Sequence, residues 1–201
     1  YTFGVSGSSM NLHKQHMEAL PFDVRTDTID VAAYLKFTHA LCVKTDAPWK
    51  TIEEVIAYAR KNPGKFNFAT VGMGATAAIV MARIAMKEGI KWSAVPFKSG
   101  SESMLAAVGG HVNATTAGPA DVVPHLQSGK LRLIFSLTDT RSPIAPTIPS
   151  VLEKYGFWVM SYKAIIAPVG TSDEVVEKVQ NAIKKAVDDP AYVQLAKTMQ
   201  V

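Results

Sequence analysis

The chain has 201 residues, 48% of them hydrophobic and 19% charged, with a formal net charge of +4. That is enough apolar material for one large core or two small ones, and it excludes a disordered chain. The positive excess is mild and scattered, with no basic cluster interleaved with aromatics, so it favours anionic ligands and argues against a nucleic-acid partner.

No apolar run is long enough to cross a bilayer. The single cysteine, Cys42, excludes an internal disulfide and a cysteine-based metal cage. Its neighbours Leu41 and Val43 make it a buried structural thiol. Residues 1–5 read as the middle of a buried strand, and 192–201 stop inside a helical pattern. Both ends predict a piece of a longer protein.

Residues 1–6 form a strand followed by a serine-rich turn. Residues 33–43 are apolar and extended, fit to cross between lobes. From 51 onward helix and strand signals alternate. Ile52, Val55, Ile56 and Ala59 recur at helical spacing, with Thr51 as N-cap and Glu54 at the capping-box position. Asn62, Pro63 and Gly64 end that helix. Residues 65–71 alternate as a strand with Phe66 and Phe68 inward, 72–75 form a small-residue loop, and 76–88 are helical and apolar almost all round.

The pattern repeats as strand 92–97, loop 98–101 and helix 102–108, with Ser99 and Glu102 at capping-box spacing. It repeats again as strand 112–116, loop 117–119 and helix 121–127, which Asp121 caps. A strand at 131–137 follows. Residues 141–149 carry three prolines and read as a loop or linker. A strand at 163–167 and an amphipathic helix at 175–187 close the chain. Strands separated by helices imply βαβ units, hence mostly parallel sheets with helices on both faces. The simplest architecture is an α/β protein of two lobes. Residues 1–43 give part of the first lobe plus a crossover, 44–138 an inserted second lobe, and 139–201 a linker and return.

Ligands of such sheets sit beyond the C-terminal strand ends. Three loops occupy that edge, at 72–76, 98–101 and 117–119. They offer backbone N–H groups and hydroxyls, and no nucleophile with its base. Helix N-termini of this kind attract an anion by hydrogen bonding and by dipole. The candidate contacts are Gly72, Met73, Gly74, Ala75 and Thr76, joined by Lys98, Ser99 and Gly118. Ser6, Gly7, Ser8 and Ser9 add hydroxyl and backbone donors at a strand end.

Gly72, Gly74 and Ala77 also match a G-x-G-x-x-A dinucleotide pattern. The next strand ends at Lys98 rather than at an acid able to hold a ribose, which disfavours a nucleotide-dependent enzyme. A ligand-sensing domain of a regulator shares the two-lobed plan and stays open beside it. His13 and His16 lack a third ligand, so no metal site is expected. His111 and His125 read as structural, and Trp49, Trp92 and Trp158 as core or cleft wall. No catalytic residue and no cofactor is assigned.

The order of short motifs is specific in combination. YTFGVSGSS stands at 1–9, LPFD at 20–23, ARKNPGKFN at 59–67 and ATVGMGAT at 69–76. VPFKSG follows at 95–100, GGHV at 109–112, PHLQSGKLR at 124–132, RSP at 141–143 and APVGT at 167–171. In this order the chain resembles the extracytoplasmic receptors of tripartite tricarboxylate transporters, the Bordetella-uptake-gene type.

The resemblance implies a Venus-flytrap fold, a periplasmic location after removal of a signal peptide, and a small carboxylate solute handed to membrane-embedded transporter subunits. It implies two carboxylate-gripping loops. One precedes Tyr1, and the other is 72–76. The family often has an aspartate where Ala117 stands, which argues here against amino-acid ligands. It usually shows a serine where Ala75 or Thr76 stands, which leaves Thr76 to supply the hydroxyl.

Overall fold

Residues 40–43 are buried on both sides, and the strand they form organises the larger of two units. The computed structural model describes residues 2–7 and 21–199. One unit comprises Tyr1–Phe37 and Met160–Val201, the other Thr38–Val159.

The larger unit is a five-stranded sheet in the order β5-β4-β6-β3-β7. Its strands are β3 (Ala40–Lys44), β4 (Asn67–Thr70), β5 (Ser93–Pro96), β6 (Ala114–Thr115) and β7 (Leu131–Ser136). β4 pairs in parallel with β5 and β6. β3 runs antiparallel to both β6 and β7. β4 to β7 therefore share one direction, as the βαβ pattern predicts, and β3 is the opposed strand between them. From sequence alone, 33–43 reads as a single crossover. The structure divides it into β2 (Thr28–Lys36) in the smaller unit and β3 in the larger. A strand covered on both faces loses the polar alternation that would have marked it.

The helices are α1 (Ile52–Lys61), α2 (Thr76–Glu88), α3 (Gly100–Val108), α4 (Pro119–Gln127) and α5 (Val151–Tyr155). Thr51 caps α1 as expected, its hydroxyl accepting from Glu54 N at 3.3 Å. Alternate residues of β3 face opposite layers. Leu41 and Val43 join Val55, Phe66, Phe68 and Met81 in the main core, under α1 and α2. Ala40 and Cys42 join Met104, Ala117 and Val122 under α3 and α4. Burial pushes the Cys42 thiol up to about 12, so it stays protonated and inert.

The proline-rich stretch is part of this unit rather than a free linker. Ser136 N donates to the Pro149 carbonyl at 3.0 Å. Arg141 Nε reaches both Glu153 oxygens, at 2.9 and 3.1 Å. Val151 and Phe157 lie in the main core. Prolines withhold backbone donors, but they do not prevent packing. The larger unit thus runs to Val159, beyond the boundary expected at 138.

The smaller unit is a three-stranded antiparallel sheet of order β1-β8-β2, with β1 at Gly4–Gly7 and β8 at Tyr162–Pro168. α6 (Asp173–Val187) packs beside β2, where Gln180 Nε2 donates to the Val31 carbonyl at 2.8 Å. α7 (Pro190–Met199) follows, and Tyr192 bonds the Tyr34 carbonyl.

Candidate functional site

Because β4 to β7 share a direction, their C-terminal ends lie on one edge of the larger unit. The segments leaving that edge lead into the starts of α2, α3 and α4. Hydrogen bonds lock the strand ends together. Phe97 N donates to the Thr70 carbonyl at 2.8 Å, and Thr116 N and Oγ1 both donate to the Ala69 carbonyl, at 3.0 and 3.1 Å. Ala117 N donates to Thr115 Oγ1 at 3.2 Å, which in turn meets Ser103 Oγ at 2.9 Å. These buried partners give the three loops a fixed base.

The three helix starts differ. α3 is capped by Ser99, whose hydroxyl accepts from Glu102 N at 3.2 Å, while the Glu102 carboxylate accepts from Lys98 N at 3.2 Å. α4 has Gly118 as N-cap and Asp121 in its first turn. Asp121 was expected to cap its own helix. Its carboxylate instead accepts from Ser101 Oγ at 2.9 Å, on α3. α2 has no acidic residue in its first turn and no side-chain cap, because its N-cap is Ala75. Of the three, only α2 has neither a first-turn acid nor a capping side-chain hydrogen bond at its positive end.

The loop before α2 turns at Gly72, which has φ +84° and so needs glycine. Ala75 N closes the turn on the Gly72 carbonyl at 3.3 Å. Gly74 is buried, Thr76 is only 6% exposed, and Met73 is 52% exposed. The surface of the loop is therefore mostly backbone with Met73 and Ala75. A groove of about 500 Å³ runs alongside, lined by Met73, Ala78, Ile79, Ala82, Trp92 and Ala94. Its lining is mostly apolar, with Lys91 and Ser93 as its polar side chains.

Gly72 to Thr76, Lys98, Ser99 and Gly118 thus share one edge. Ser6 and Gly7 lie in β1 of the smaller unit, with Ser6 buried and Gly7 against the Tyr162 carbonyl. Ser8, Ser9, His13 and His16 fall outside the described residues.

One neighbour escaped sequence reading. His39 precedes β3, which runs the other way, so it arrives at this same edge. Burial holds its imidazole below the ordinary value of 6.5, partly offset by a hydrogen bond to the Thr116 backbone. The unfolded chain therefore binds the extra proton first as pH falls. Stability is full above about pH 6.5 and declines as pH drops below it. The melting temperature should fall between pH 7.5 and pH 5, and His39→Gln should flatten that fall. An equal slope in the variant would assign the dependence elsewhere.

The whole chain, residues 1–201, matches the model of the tripartite tricarboxylate transporter family receptors. The chain belongs to this receptor family. Among its relatives is the "UPF0065 protein in gbd 5'region" of Cupriavidus necator, 39% identical over 165 residues, which cover 82% of this chain and 49% of that protein. The chain thus spans about half the length of that curated relative.

Three solved structures share the fold. One is described as a periplasmic transporter (TM-score 0.81, 25% identity, 96% of this chain and 66% of the other). The second is R. palustris Rpa4515 with adipate (TM-score 0.85, 21% identity, 100% and 68%). The third is MatC from Rhodopseudomonas palustris with bound malate (TM-score 0.83, 22% identity, 99% and 69%). The tripartite tricarboxylate receptor chain therefore has the α/β fold of periplasmic binding proteins, with mixed sheets. No helix among its described residues is long and apolar enough to cross a membrane.

Proposed function

We propose that this protein is a periplasmic receptor that captures a small carboxylate-bearing solute and delivers it to membrane-embedded transporter subunits, catalysing no reaction. The observation that carries this reading is the start of α2. There a glycine turn leads into a helix with no capping side chain and no first-turn acid. Such an end is suited to an external anion. Gly72, Met73, Gly74, Ala75 and Thr76 are its contacts, with Lys98, Ser99 and Gly118 along the same edge. The carboxylates in two fold neighbours, adipate and malate, support the ligand class.

The test is calorimetry on the full-length natural protein with a panel of mono-, di- and tricarboxylates. At least one should bind at micromolar dissociation constant or better, on the order of −8 kcal/mol. No binding across the panel would overturn the reading. Tight binding of a nicotinamide dinucleotide instead would give the loop to a nucleotide-dependent enzyme.

A further inference from the structure

We infer that Asp121 is a specificity-determining residue, which seats its own carboxylate at the start of α3 and so restricts this edge to one external carboxylate, held at α2. The inference rests on the carboxylate reading above and refines its substrate class.

Asp121 is the third residue of α4, yet its carboxylate serves another helix. Its Oδ1 accepts from Ser101 Oγ at 2.9 Å. A Cβ built on Gly100 would lie 2.1 Å from Oδ2 and 2.8 Å from Cγ. The carboxylate thus rests against the first residue of α3, in space that glycine alone leaves free. A negative group there is favoured by the helix end, which is where a solute carboxylate would otherwise go. Glu102 adds a second acid in the same first turn.

Topology places this contact beside the α2 loop. α3 follows β5 and α4 follows β6, and both strands are hydrogen-bonded to β4. β4 is the strand that runs into Gly72. Asp121 therefore joins the two helix starts that flank the end of β4. A solute held by one carboxylate at α2 meets a fixed negative charge on that flank. A second carboxylate directed at α3 finds a like charge and an occupied helix end, whereas a hydroxyl or keto group meets no such repulsion. Specificity here comes from a built-in repulsion as much as from an attraction.

The measurement is calorimetry on the full-length protein at low ionic strength, with a monocarboxylate, a dicarboxylate and a tricarboxylate of similar length. In Asp121→Asn, affinity for the di- and tricarboxylate should rise at least threefold relative to the monocarboxylate. Added salt should shrink the gain, since it screens exposed charges. Asp121→Glu, which keeps the charge, should keep the wild-type ratio. A merely structural role would lower all affinities together and would not raise one class selectively. Should Asp121→Asn melt without cooperativity, Asp121→Ser, which also removes the charge, carries the same expectation. An unchanged ratio in a folded variant that still binds overturns the role of Asp121 alone. A wild-type protein that binds no carboxylate overturns the site and this inference together.

Discussion

Residues 38–159, produced without the rest of the chain, will unfold in a single cooperative transition with a structured near-ultraviolet dichroism signal. The reason lies in where the buried side chains are. All three core clusters of the described residues fall within Thr38–Val159. They include Phe66, Phe68, Phe135, Leu41, Ile52, Met81 and Ile84, each essentially without exposed surface. Burying one such side chain contributes about 1.5–3 kcal/mol, against a typical net stability of about 5–15 kcal/mol.

Aromatic edges tie the layers together. Trp49 meets Tyr58 and Phe66 with centroids 5.0 and 5.3 Å apart, both edge-on. Arg132 Nη2 clips the turn before α1 by donating to the Ala47 and Trp49 carbonyls, at 2.6 and 2.7 Å. The described residues of the smaller unit hold no comparable centre. Among its described residues the buried apolar side chains are Val24, Val31, Ala164, Ile166 and Ala167, and α6 buries none. Residues 1–37 joined to 160–201 by a short linker should accordingly show no cooperative transition. A broad, non-cooperative melt of 38–159 would count against this account.

The sequence was most legible where one signal sufficed. The helix starts at Thr51 and Ser99 follow from side chains that reach only three residues along the chain. The parallel run of β4, β5 and β6 follows from strands separated by helices. What stayed hidden depended on contacts distant in sequence. β3 was unreadable as a separate strand because both its faces are apolar, so nothing marked its opposed direction. The 139–159 segment looked like a linker because prolines silence the periodicity on which strand and helix assignments rest. Asp121 looked like a cap for its own helix, since spacing shows no partner twenty residues upstream. His39 carried no local signal, because its place at the site edge follows from the reversed direction of β3.

Replacing Gly72 with valine will weaken carboxylate binding at least tenfold while the protein still melts cooperatively. Gly72 has φ +84°, and a Cβ placed there would meet nothing within 4 Å. The obstacle is therefore the backbone conformation and not a neighbouring side chain. A left-handed conformation costs an L-residue roughly 1–2 kcal/mol, and branching at Cβ worsens it. The loop can relieve that strain by leaving its turn, which would break the Ala75 N to Gly72 carbonyl bond and re-aim the N–H groups ahead of α2. The helix end contributes about 0.3–1 kcal/mol to holding an anion. Each charge-assisted hydrogen bond adds about 1.5–3 kcal/mol. Losing one such bond is enough, because about 1.4 kcal/mol is a factor of ten in affinity. Gly64→Val is the matched control. Gly64 has φ +76°, also with nothing within 4 Å of a Cβ. It precedes β4, at the opposite edge of the sheet from Gly72. The two variants should lose similar thermal stability, and only Gly72→Val should lose affinity. Equal loss of affinity in both would reduce the effect to general destabilisation, and unchanged affinity in Gly72→Val would move the carboxylate away from this loop.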